Sequence, residues 1–106
     1  MRTFHRLIKS MVANPDDFRS YAALGRALRD DSPEAREDYT GVSVFATVQQ
    51  ARAKARLPLF RDYQGIAVLQ IPETVRAKRT GRERGHHTLW GEPDELVQYV
   101  VRVIPL

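Results

Sequence analysis

The sequence predicts an α+β domain: a small mixed sheet with two to four helices, folded as a single unit over residues 1–106. Three observations carry this expectation. A length of 106 residues suffices for one core and leaves too little chain for a second. The stretch Gly65–Ile71, GIAVLQI, is apolar almost throughout between a glycine and a proline, the pattern of a strand covered on both faces. Helix-start signatures stand at Asn14-Pro15-Asp16-Asp17 and at Thr47 with Gln50, so helical and extended segments alternate along the chain.

Residues 3–12 admit two readings. Phe4, Leu7, Ile8, Met11 and Val12 fit a helical stripe, while Thr3 to Ile8 also suits a strand feeding the next element; periodicity favours the helix. A helix is expected over 15–29, opened by the Asn14 cap and the proline and acids behind it. Phe18, Tyr21, Ala22, Gly25 and Leu28 give it an apolar face. Asp30-Asp31-Ser32-Pro33 ends it, and Glu34 to Tyr39 adds a turn or two. Gly41–Phe45 is short and β-rich, and Thr47 with Gln50 then opens a helix over 48–57 that Pro58 stops. Gly65–Ile71 is expected in the middle of the sheet. Thr74–Thr80 alternates cations as an edge strand tolerates, the Gly91-Glu92-Pro93-Asp94-Glu95 stretch starts a third, short helix, and Val100–Ile104 closes as a β-branched strand.

Composition excludes several classes. There is no cysteine, which removes disulfides, thiol catalysis and thiolate metal sites. No apolar run is long enough to span a bilayer, and Arg2, His5, Arg6 and Lys9 break up the N-terminal stretch that a secretory signal would need. A cytoplasmic, bacterial location is the expectation, although the acid-free residues 1–15 also have the composition of a transit peptide. The net charge of +4 is unevenly spread: residues 52–84 hold nine Lys and Arg against three acids, whereas residues 85–106 and 16–51 are net acidic. Clustered positive charge attracts phosphates, on nucleic acid or on a small ligand, and equally serves as a solvated face.

Three clusters are candidate sites. Gly85-His86-His87-Thr88-Leu89-Trp90-Gly91 holds two of three histidines and the single tryptophan between two glycines. His86 and His87, as neighbours on a strand, face opposite ways and do not share a metal, so no metal is expected; either suits proton transfer near neutral pH. Trp90 packs a corner or lines a pocket. Arg76, Lys78, Arg79, Arg82 and Arg84 put five cations in nine residues, and arginine's planar fork matches phosphate, while the lack of an interleaved aromatic weakens a single-strand-binding reading. Glu92, Asp94 and Glu95 stand at a helix start, where the backbone dipole alone favours acids; Glu95 is the candidate for catalysis. No nucleophile elbow, Walker or Rossmann phosphate loop, or zinc-protease helix is present.

The blocks Phe4-His5-Arg6, Asp17 to Gly25, Gly41 to Thr47 with Ala51-Arg52, and Gly85 to Gly91 with Pro93 to Leu96 resemble a group of small, uncharacterised bacterial proteins that carries no function across. In layout they are distantly similar to the ADP-ribosyltransferase-like fold, with an early basic residue on a strand, a second strand entering a helix, and a late glutamate. That resemblance implies NAD as the dinucleotide ligand. It gives His5 or Arg6 the ribose or phosphate, Ser43 and Phe45 the nicotinamide pocket, and Glu95 the orientation of the reacting hydroxyls; it also implies a strand, not a helix, at the start of the chain. The chain is short for that fold and Glu95 is not on a strand, both departures from its pattern.

The leading expectation is therefore an enzyme or toxin-like domain that binds a phosphate-bearing nucleotide, with the basic loop of Arg76, Arg79, Arg82 and Arg84 and the histidine motif beside one pocket. The alternatives are an RNA-binding or RNA-cleaving module using region 52–84 with His86 or His87 as acid or base, and a non-enzymatic domain whose basic face meets an acidic partner.

Overall fold

The computed structural model describes residues 1–28 and 32–106. Six strands, β1 (Arg2–Ile8), β2 (Val42–Phe45), β3 (Gly65–Ile71), β4 (Ala77–Arg79), β5 (His86–Leu89) and β6 (Val100–Pro105), form one sheet in the order β4-β5-β2-β1-β3-β6. Three α-helices accompany it: α1 (Pro33–Tyr39), α2 (Val48–Ala55) and α3 (Pro93–Leu96). The α+β class is as expected. Every strand pairing is antiparallel, however, where a mixed sheet was expected. The crossover from β2 through α2 to β3 does join two strands running the same way, but β1 lies between them and pairs antiparallel to both.

The first segment settles as a strand. β1 pairs with β3 over its full length, from Arg2 opposite Ile71 to Ile8 opposite Gly65, and as an interior strand it sends apolar residues to both faces. Phe4 and Ile8 enter one core with Val44, Leu69, Ile71 and Leu89; Leu7 enters the other with Phe45, Ile66 and Ala51. Two-sided burial puts apolar residues at positions 4, 7 and 8, which imitates a helical stripe. β3 is the buried strand its sequence predicts, with Val68 2% and Leu69 0% exposed, although it lies one strand in from the β6 edge and not at the sheet's middle.

The largest departure is the helix expected over 15–29. The Asn14 cap forms, with its side chain accepting from Asp16 N and Asp17 reaching back to the Asn14 amide, but it opens only a 3₁₀ turn at Pro15–Phe18. Phe18 is buried against the sheet; Arg19 then turns extended, and Ser20 caps a separate turn that ends at Gly25, at φ +71°. Tyr21, Leu24 and Leu28 are exposed, so the apolar positions beyond Phe18 are not buried in a core that would support a helix. Arg29, Asp30 and Asp31, the expected end of that helix and part of its break, lie outside the described residues.

The remaining elements follow their start signals. Ser32 caps α1, its Oγ accepting from Ala35 N, and the Thr47–Gln50 capping box opens α2, which ends at Ala55. A 3₁₀ turn at Pro58–Phe60 follows. β4 is shorter than expected, limited to Ala77–Arg79, and β6 runs one residue further, through Pro105, which an edge strand accommodates. The Pro15–Phe18 turn and α3, through Phe18 and Leu96, cover one face of the sheet, while α2 and the Phe60–Tyr63 segment cover the other.

Candidate functional site

β1 and β2 share a single registered pair, His5 opposite Phe45. Two β2 carbonyls are held instead by β1 side chains. His5 is buried with Nδ1 3.2 Å from the Phe45 oxygen, and Arg6 Nη1 donates to the Ser43 oxygen at 2.7 Å. Arg6 Nε donates to the Asp17 oxygen at 2.7 Å, so its guanidinium links β1 to both the 3₁₀ turn and β2, with the Phe18 ring 5.9 Å away. Among the described residues it has no carboxylate at ion-pair distance, and Nη2 makes no hydrogen bond. Burial pulls the Arg6 pKa below its usual value, with Tyr63, Tyr21 and Asp17 acting in the opposite sense. A guanidinium nonetheless stays charged at working pH.

Arg6 lines a cleft of about 280 Å³ that opens beside this loosely joined pair of strands. Ser43, Phe45 and His86 line it as well, so residues from three separate blocks of the sequence converge there. The aromatic rings of Tyr21, Phe60 and Tyr63 supply apolar walls; Phe60 and Tyr63 pack edge to face at 4.9 Å after the turn that Pro58 starts. Arg19, Arg26 and Lys54 add positive charge at the cleft, each already engaged: Arg19 with Asp16, Arg26 over the Tyr21 ring, and Lys54 with Glu83. Among the described residues, Asp38 and Glu83 are the carboxylates that line it.

His86 is oriented by its hydrogen bonds. Nδ1 lies 3.0 Å from the Thr80 carbonyl oxygen, which only accepts, and 3.1 Å from Thr80 Oγ1, so Nδ1 is the ring's donor to that carbonyl. The Phe45 ring stacks edge to face at 5.5 Å, and a Thr80–Thr88 hydroxyl contact of 2.7 Å backs the site. Nε2 has no partner among the described residues.

The other predicted residues lie elsewhere. His87, its side chain alternating to the opposite face, packs on Phe4 at 4.9 Å with Nδ1 2.9 Å from the Gly85 oxygen. Trp90 is a structural corner: Nε1 donates to the Glu37 oxygen and to Thr40 Oγ1, and Arg76 lies 4.0 Å over its ring while pairing with Glu37, which fastens α1 to the end of β5. Arg79 stands opposite His87 on exposed β4. Arg82 and Arg84 are exposed in the β4–β5 connection, and Arg84 lines an adjoining hollow of about 270 Å³. Glu95 is exposed on α3 and does not line the cleft. Tyr21, Phe60, Tyr63, Lys54 and Asp38 were not anticipated as site residues. Each reads locally as core or helix surface, and only the tertiary fold gathers them.

Comparison with known proteins finds no matching family model, no matching curated protein and no matching solved structure. Among the described residues no helix is long and apolar enough to cross a membrane.

Proposed function

We propose that the protein binds a phosphate-bearing nucleotide in the cleft beside β1 and β2, with the phosphate on Arg6. The observation that carries the reading is the half-buried Arg6 guanidinium, which has two carbonyl partners, no carboxylate at ion-pair distance among the described residues and a free donor edge in a cleft. A partly desolvated charge without a neighbouring counter-charge is a ready partner for a ligand anion. Tyr21, Phe60 and Tyr63 offer the apolar faces on which a nucleobase stacks, and His86 Nε2 offers an acceptor. NAD, implied by the ADP-ribosyltransferase-like resemblance, is the first ligand to test, because Arg6, Ser43 and Phe45 share the cleft. Glu95 does not join them, so in a transferase reading the carboxylate role passes to Asp38 or Glu83.

Binding of NAD, ADP-ribose, adenosine monophosphate and a short RNA, measured by calorimetry, tests this. Charge-assisted hydrogen bonds contribute about 1.5–3 kcal/mol, so Arg6→Gln is expected to weaken the bound nucleotide by roughly ten- to a hundred-fold, with Arg6→Lys intermediate. Should Arg6→Gln fold poorly, Tyr63→Ala, which leaves the guanidinium in place, gives the second reading. Wild-type protein that binds none of the four ligands overturns the proposal.

A second reading, RNA contact, is favoured by exposed Arg84 in the adjoining hollow and by Arg82, exposed in the same connection. It predicts that the short RNA outcompetes the mononucleotide and that binding falls steeply with salt.

A further inference from the structure

The adjoining hollow shares Phe45, Lys54 and Glu83 with the Arg6 cleft, and Lys54 Nζ meets Glu83 Oε1 at 2.7 Å. We infer that this ion pair is a movable partition, and that a ligand with two separated phosphate groups fills both hollows by drawing Lys54 away from Glu83. The inference rests on the reading of the Arg6 cleft as a phosphate site. Cations line both hollows: Arg6 in the first together with Arg19 and Arg26, Lys54 in both, and Arg84 in the second. Arg84 has no ion pair among the described residues.

The partition is built to yield. Its partners come from α2 and from the β4–β5 connection, and the Glu83 side chain is 48% exposed. A partly exposed Lys–Glu pair, with the Lys54 side chain 26% exposed, contributes modest net stability, so a phosphate with greater charge and three acceptor oxygens displaces the carboxylate at modest cost. Glu83 also sits on a segment bounded by Gly81 and Gly85, both at positive φ. At Gly85 an added Cβ would meet Gln50 Oε1 at 1.8 Å, so the glycine lets the connection seat directly against α2 beside Lys54. A static rim around a one-phosphate ligand would give Arg84 and the second hollow no part in binding.

The test compares adenosine monophosphate with two probes carrying separated phosphates, adenosine bisphosphate and 5′-phosphorylated diadenylate, on wild type, Glu83→Gln and Arg84→Gln. Removing the competing carboxylate is expected to tighten the two-phosphate probes by about three- to ten-fold and adenosine monophosphate by less than about two-fold. Arg84→Gln is expected to weaken the same two probes selectively. A preference for the bisphosphate marks a free nucleotide as the natural ligand, and a preference for diadenylate marks a strand; either supports the partition. If Glu83→Gln shifts all three probes equally or not at all, the inference falls while an Arg6-dependent affinity for adenosine monophosphate leaves the cleft reading standing. If no probe binds the wild type, both fall.

Discussion

His86 and His87 are neighbours in sequence with opposite surroundings, because adjacent residues of β5 point to opposite faces of the sheet. His86 lines the cleft and His87 packs on Phe4. His86→Gln is therefore expected to weaken nucleotide binding several-fold at unchanged fold, since Gln replaces the aromatic ring and its Nε2 acceptor, whereas His87→Gln leaves affinity within about two-fold and lowers stability by roughly 1 kcal/mol through the lost ring contact. Parallel calorimetry and urea titration separate the two; equal binding losses would remove His86 from the site. Gly85 makes a third residue-scale case. At φ +77° and with Gln50 in the path of a Cβ, Gly85→Ala is expected to cost about 1–3 kcal/mol in a denaturant midpoint measurement.

Helix α2 shows what short-range chemistry settles. Thr47 and Gln50 exchange hydrogen bonds with each other's backbone amides at 3.1 Å, the reciprocal cap their spacing predicts. Thr47→Ala is expected to cost about 0.5–2 kcal/mol, read as a lower urea midpoint. The same logic, applied to Asn14, identified a true cap and then overextended it. Cap residues act over one turn, but continuing a helix needs an apolar face buried in a core, and Tyr21, Leu24 and Leu28 stay exposed. The site divides along this line. His86 was legible in its histidine motif, while Arg6, Ser43 and Phe45 were named only through the ADP-ribosyltransferase-like resemblance, and the shared cleft is what connects them. Tyr21, Phe60, Tyr63 and Asp38 carry no local signal and Lys54 only its place in the basic region 52–84, since their convergence comes from helices and connections that the fold brings together. Glu95, in turn, is accounted for by its place in the first turn of α3.

Across the whole molecule, stability rests on the two cores that sandwich the sheet, and β3 contributes to both. Leu69→Ala, at a fully buried position, is expected to cost about 2–5 kcal/mol and to be the most damaging of the single substitutions described, measured by chemical denaturation. The strand order carries a further consequence, for how the molecule is made. β1 is made before the other five strands of the sheet, yet its long partner is β3, with Arg2 opposite Ile71, and β3 in turn awaits β6, with Gly65 opposite Pro105. The nascent β1 therefore lacks its main partner, with Phe4, Leu7 and Ile8 open to solvent and to chaperones, until β3 has been synthesised. Such distant pairings place refolding from denaturant on the order of milliseconds to seconds and not microseconds, and C-terminal truncations before Val100 should yield chains that expose apolar strand edges and aggregate instead of folding in part.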